Sequence, residues 1–150
     1  PRSHLAVLLT AAADAARAAG RTAAVPCCLS IPTFVSEDVE AARSAARYNL
    51  AFFAQLPNYR RQWRRAGLGA WLDELGADLR SAQRRDIAQR VPEALIDEVC
   101  VVGNVAQCRA QLAAFHTAGV DLPVLAVSPV NEDRAGATRR ALEALAPGRA

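Results

Sequence analysis

Residues 91–129, VPEALIDEVCVVGNVAQCRAQLAAFHTAGVDLPVLAVSP, leave this chain little choice of local structure. Residues 98–102 are a short apolar, β-branched run suited to a strand buried on both faces. Gly103 and Asn104 end it, and Asn104 is a helix N-cap with Gln107 three residues on, in the capping-box position. Such a cap is worth about 1 kcal/mol, because it satisfies amide groups that the first helical turn leaves without partners. Val105, Cys108, Leu112 and Phe115 recur at spacings of three and four and form one apolar stripe. Gly119 stands where a helix C-terminus needs a residue tolerant of positive φ. Residues near 123–128 are a second buried strand. Two such strands joined by a helix run parallel, with a right-handed crossover. The stretch is a βαβ unit.

The 150 residues suffice for one domain with a real core. With 52% hydrophobic and 22% charged residues the composition is ordinary globular, and no apolar run is long enough to span a bilayer. The alanine-rich residues before Gly20 are interrupted by Asp14 and Arg17, and lack the basic start and unbroken apolar core of a signal peptide. A cytoplasmic protein with no membrane partner is expected. The net charge of +3 is carried by arginine alone and is too mild to indicate nucleic acid by itself.

Residues 3–19 read as a helix, with Leu5, Leu8, Leu9 and Ala12 on one face and Gly20 at its end. Residues 23–31 read as a strand, in which Pro26 points to the strand's first residues or to an exposed backbone edge and which Pro32 stops. Ser36 is the expected N-cap of a helix reaching about Gln55, with Glu37, Asp38 and Glu40 in a first turn whose dipole favours negative charge. Residues 57–90 form an arginine-rich helical insertion opened by Pro57 and divided by Gly67, Gly69 and Gly76. Ser128, Pro129 and Asn131 make a turn before a closing helix over residues 132–145.

Three strands result, near 23–31, 98–102 and 123–128, with a leading helix that resembles the tail of a missing βα unit. Three parallel strands leave two open edges, which natural proteins cover. The simplest α/β fold is the C-terminal portion of a (β/α)8 barrel, with a helical insertion between its first two strands here. A whole barrel takes about 250 residues, so this chain supplies part of one. A complete three-stranded α/β sandwich is the rival.

Chemistry is sparse. Cys27 and Cys28 are adjacent on a strand, Cys100 ends a strand and Cys108 lies on the helical stripe. None has zinc-site spacing, so buried reduced cysteines and no metal are expected. His116, at the C-terminal end of its helix, reads as a dipole partner, and His4 says little. In NYRRQWRRAGLG, residues 58–69, Arg60 with Arg64 and Arg61 with Arg65 stand at i,i+4 beside Tyr59 and Trp63. They could grip a phosphate or close a pocket as a lid, but the simpler reading is an exposed face whose arginines meet Asp73, Glu74 and Asp78. Neither phosphate-loop nor nucleophile-elbow nor zinc-protease motifs occur. The catalytic residues are unknown.

The stretch 91–129 resembles the C-terminal signature of luciferase-like oxidoreductases, the flavin- or deazaflavin-dependent monooxygenase family. The match runs through Val91, Pro92, Glu93, Leu95, Ile96, Asp97, Val101, Val102, Gly103, Gln107, Leu112, Ala118, Gly119, Val120 and Asp121. Upstream, Ala19-Gly20-Arg21 before a strand and SEDVEAAR, residues 36–43, opening a long helix follow the same order. Where the family commonly has Gly-Thr/Ser-Pro, this chain has Gly103-Asn104-Val105, which keeps the cap and loses proline at the first helical position. The resemblance implies a (β/α)8 barrel binding FMN or a deazaflavin coenzyme of the F420 type at its C-terminal mouth. It implies hydride transfer or oxygenation of a small organic substrate, with the cofactor carrying the redox chemistry. The family's main phosphate loop lies upstream, so only mouth positions carry over as cofactor-binding or substrate-facing residues: Thr33, Gly103, Asn104 and Ser128. Tyr48, Phe52, Tyr59 and Trp63 could line a pocket, with core packing the default. The expected partners are a small-molecule substrate and a second copy in a homodimer, without nucleic acid. The alternative is a non-catalytic α/β module, or truncated relative, that needs a partner chain.

Overall fold

Alternate residues of the longest strand point into two separate layers of helices, and the rest of the chain is arranged by that alternation. The computed structural model describes residues 1–76 and 82–146. A 3-10 turn (Arg2–His4) leads into α1 (Leu5–Ala18) and β1 (Cys28–Val35). Then come α2 (Val39–Ala54), α3 (Pro57–Arg65), α4 (Ala70–Leu75), α5 (Arg84–Gln89) and α6 (Glu93–Val99). The chain finishes with β2 (Val101–Gly103), α7 (Val105–Thr117), β3 (Leu122–Val127) and α8 (Arg134–Leu145). The strands form one parallel sheet in the order β2-β1-β3.

Ile31 and Val35 of β1 pack with Leu5, Val101, Cys108, Phe115, Val120 and Ala141, so α1, α7 and α8 cover one face. Phe34 and Val102 point the other way, into a core shared with Ala46 and Leu50 of α2, Trp63, Trp71, and Leu95 and Ile96 of α6. That second layer covers only the carboxyl-terminal end of its face. Towards the amino-terminal end the same face is bare: Cys28 and Ser30 are exposed, as are Leu122 (59%) and Val124 (46%) beside them.

The α7 segment folds as its residues dictate. Asn104 Oδ1 accepts from the Gln107 amide at 3.0 Å, and Gln107 Oε1 accepts from the Asn104 amide at 2.9 Å, which closes the capping box. Cys108 and Phe115 are buried, and Gly119 has φ 101°. β2 and β3 are parallel as expected, but α7 joins them across β1, which lies between.

Several expected boundaries move. β1 starts at Cys28 rather than near residue 23 and runs through Pro32 to Val35. Ser36 donates its amide to Gly103 O and Thr33 O accepts from the Ser128 amide, so even-numbered residues of β1 bond towards β2 and odd-numbered ones towards β3. Pro32 therefore points its nitrogen to the β2 side, just before pairing with β2 begins at Thr33, and costs no ladder bond. The cap of α2 is Asp38, whose Oδ1 accepts from the Ala41 amide at 3.0 Å, and not Ser36. Ser36 Oγ instead accepts from the Asp38 amide at 3.1 Å. Glu98 and Val99 belong to α6 rather than to a strand. Leu95 and Ile96 bury into the second core, and Glu98 accepts from the Ser3 amide at 2.7 Å, so tertiary contacts extend the helix where local β propensity would end it.

The three-stranded parallel sheet is a mixed α/β arrangement consistent with part of a (β/α)8 barrel, but its strand order is not the expected one. Neighbours in a (β/α)8 barrel follow chain order, whereas β1 here separates β2 from β3. The three segments are not three successive staves. β2 pairs only with residues 33–35 of β1, while β1 and β3 pair from Cys28 opposite Leu122 to Thr33 opposite Val127. Residues 77–81 of the helical insertion, Asp78 included, lie outside the described residues. Among the described residues no helix is long and apolar enough to cross a membrane.

Candidate functional site

The site begins with the cap that sets α2. Asp38 caps the helix shortly after β1, and a spacing of four buries Ala42, Ala46 and Leu50 while leaving Ser44, Arg47 and Tyr48 on an outer flank. α5 packs along that flank through buried Ile87 and Ala88. The turn after β3 closes the third side: Val130 is buried, and Asn131 adopts φ 54°, a left-handed conformation that asparagine tolerates better than most residues. Between α2, α5 and residues 129–131 lies an open groove of about 1070 Å³. The turn that borders it follows the carboxyl end of β3, the end of the strands at which parallel α/β folds bind ligands.

Among the described residues three arginines line the groove, and no Asp or Glu does. Arg47 is already neutralised: its Nε donates to Glu93 Oε1 at 2.8 Å, and Glu93 also takes Arg43, which reaches Asp97 Oδ1 at 2.9 Å. Burial pushes the Glu93 carboxyl up, yet hydrogen bonds from Arg47 and Arg43 outweigh it and hold the group below its ordinary value. Arg84 is held without a carboxylate among the described residues. Its Nε donates to Tyr48 O at 2.7 Å, and its guanidinium lies 3.9 Å from the Tyr48 ring centroid and 5.5 Å from that of Phe52. Arg85 is exposed, with no carboxylate partner among the described residues.

None of the four mouth positions lines the groove. Thr33 is fully buried, and its hydroxyl donates to Ile31 O at 3.0 Å. Gly103, with φ 121°, and Asn104 belong to the capping box; a Cβ on Gly103 would collide with Gln107 Oε1. Ser128 comes nearest, one residue before Pro129, and its amide ties β3 to Thr33 O at 2.9 Å. Tyr48 lines the groove and Phe52 flanks it through Arg84. Trp63 is core, 6.0 Å from Trp71, and Tyr59 packs against the same core.

The arginines of α3 follow the simpler reading. Arg64 pairs with Asp73 at 2.7 Å, and Arg60 donates to Ala54 O and Gln55 O at 3.3 Å, satisfying carbonyls at the end of α2. Arg61 and Arg65 are exposed. Sequence reasoning placed weight on these and passed over Arg84 and Arg85. The available signal was Gln83-Arg84-Arg85 opening a short helix, but nothing local shows which arginines a distant turn will face.

Cys100 and Cys108 are buried, whereas Cys28 is exposed, against the expectation for all four cysteines. Its position on the bare sheet face is the reason. Burial pushes the Cys100 thiol up to about 12 and that of Cys108 to about 11, so neither is a thiolate nucleophile near neutral pH. No cluster of His, Cys, Asp or Glu suited to a metal occurs among the described residues. The groove offers hydrogen-bond donors, positive charge and apolar walls, which is chemistry for holding and orienting a ligand.

Comparison with known proteins agrees with this architecture. The sequence profile of the luciferase-like monooxygenase family matches residues 1–122. A Mycobacterium tuberculosis (strain ATCC 25618 / H37Rv) protein provisionally named as a coenzyme F420-dependent oxidoreductase is 26% identical over 113 residues. That alignment takes in 71% of this chain and 33% of the relative, so the chain spans about a third of the protein it matches. With a family match over most of its length, this chain belongs to the luciferase-like monooxygenase family.

Proposed function

We propose that this chain is the C-terminal part of a flavin- or deazaflavin-dependent oxidoreductase acting on a small organic substrate, with β1 and β3 as neighbouring staves of a (β/α)8 barrel. The observation that carries the reading is the parallel β1–β3 pair, with the turn after β3 lining the groove, in a chain of this family. Helices cover one face of that pair, as outer helices cover a barrel, and the other face is bare where a barrel interior would be. The relative's name favours a deazaflavin over FMN.

A flavin-type cofactor, when bound, supplies the hydride chemistry. The donor set fits an anionic ligand with a flat or apolar part: Arg84 and Arg85 offer charge, and Tyr48, Ala45, Ala88 and Pro129 offer surface. The described residues that line the groove bring arginines, amides, hydroxyls and apolar surface, which is chemistry for binding and orientation.

A second reading, a module completed by a partner chain, is favoured by the same bare face with Leu122 and Val124 exposed. One experiment separates the two. The product of the complete reading frame containing these residues is titrated with FMN and with coenzyme F420, reading fluorescence quenching. Saturable binding of either supports the oxidoreductase; absence of binding to both, with the product folded, supports the module.

A further inference from the structure

The groove carries more positive charge than the carboxylates among its described neighbours offset. Among the described residues its one ion-paired arginine is Arg47, which belongs to the Glu93 cluster joining α2 to α6. Arg84 and Arg85 face the opening without carboxylates among the described residues. The acidic residues of the nearby turn are committed elsewhere: Glu132 to Arg140 at 3.1 Å, and Asp133 to the Gly136 amide at the start of α8. From this geometry we propose that Arg84 and Arg85 form an anion subsite, taking the phosphate or carboxylate end of an organic ligand whose remaining part lies along Tyr48, Ala88 and Pro129.

Three physical arguments converge on it. Among the described residues Arg84 spends only Nε–H, on Tyr48 O, which leaves the N–H groups of both terminal nitrogens. Its stacking on Tyr48 and Phe52 fixes the guanidinium plane before any ligand arrives, so little side-chain entropy is lost on binding. A planar fork presented in this way matches the two oxygens of a carboxylate or phosphate. Finally, a groove of about 1070 Å³ is far larger than an inorganic ion, and its alanine, proline and tyrosine walls give a ligand's uncharged part an apolar surface. The inference takes the groove as the ligand-binding mouth and to that extent rests on the reading above.

The test is a titration of the folded chain with phenyl phosphate, phenylacetate and benzyl alcohol at constant ionic strength, followed by backbone amide NMR shifts. Saturable shifts confined to residues 83–89 and 129–131 with phenyl phosphate or phenylacetate, and none with benzyl alcohol, support the subsite. The better of the two acids identifies the anion. Arg85→Gln should weaken that binding about tenfold, the ordinary loss for one charge-assisted hydrogen bond. Arg84→Gln should weaken it further. Because Arg84 also pins α5 to α2, Arg85→Gln decides the matter if Arg84→Gln fails to fold. Shifts equal for the acids and the alcohol, or unchanged by Arg85→Gln, overturn the proposal. No redox cofactor enters this measurement, so its outcome is independent of the cofactor titration.

Discussion

Cys28 lies directly opposite Leu122 across the β1–β3 ladder, and both side chains are exposed on the bare face of the sheet. Adjacent strands are about 4.8 Å apart, within the Cα separation a disulfide tolerates. Leu122→Cys should therefore oxidise intramolecularly with Cys28, detected by loss of two free thiols in a monomeric product. Adding Cys28→Ser should abolish the bond, while Cys27→Ser should leave it intact because residue 27 points to the other face. Persistence of all the thiols under oxidising conditions would show that β1 and β3 are not neighbours.

The Arg43–Arg47–Glu93–Asp97 cluster ties α2 to α6, and its geometry sets a pH dependence. Glu93 is held below its ordinary value of 4.5 in the folded chain. Its stabilising contribution is thus fully present above that value and is lost as pH falls through the lower folded one. Because Glu93 is half-exposed, solvent screening limits the loss in Glu93→Gln to about 1 kcal/mol at neutral pH. Urea melts should place the two proteins apart at pH 7 and bring them together in acid. Equal stability at both pH values would remove the cluster from the account.

Trp63 and Arg61 sit on the same helix with opposite surroundings. Trp63 is 2% exposed among Trp71, Tyr59 and the α2 core. Trp63→Ala should cost about 3–5 kcal/mol. Arg61→Ala, on the exposed side, should stay within about 0.5 kcal/mol. Chemical denaturation of both variants checks this, and a mild Trp63→Ala would return α3 to the role of a movable lid.

Asn104 separates capping from ligand binding. Asn104→Ala removes the side-chain acceptor for the Gln107 amide, while the residue-104 amide still donates to Gln107 Oε1, and should cost about 1 kcal/mol. It should leave phenyl phosphate binding unchanged, since residue 104 does not line the groove. A loss of binding with unaltered stability would put the β2–α7 turn back among the ligand contacts.

By itself the sequence determined what local chemistry controls: the capping box of Asn104 and Gln107, the positive φ of Gly119, the start of α3 at Pro57 and the apolar stripe through Cys108 and Phe115. Each depends on residues within a turn or two, and the family signature rests on the same stretch. Tertiary structure decided the rest. Residues 93–99 became helical because a distant core buried Leu95 and Ile96; Pro32 passed through a strand because its missing N–H faces an edge where pairing has not begun. Strand order lies deeper still, since parallel strands bond to any neighbour of matching register and no local pattern distinguishes β2-β1-β3 from chain order. The groove follows from that order: Arg84, Tyr48 and Asn131, far apart in the chain, meet only once α2, α5 and the turn after β3 are packed together.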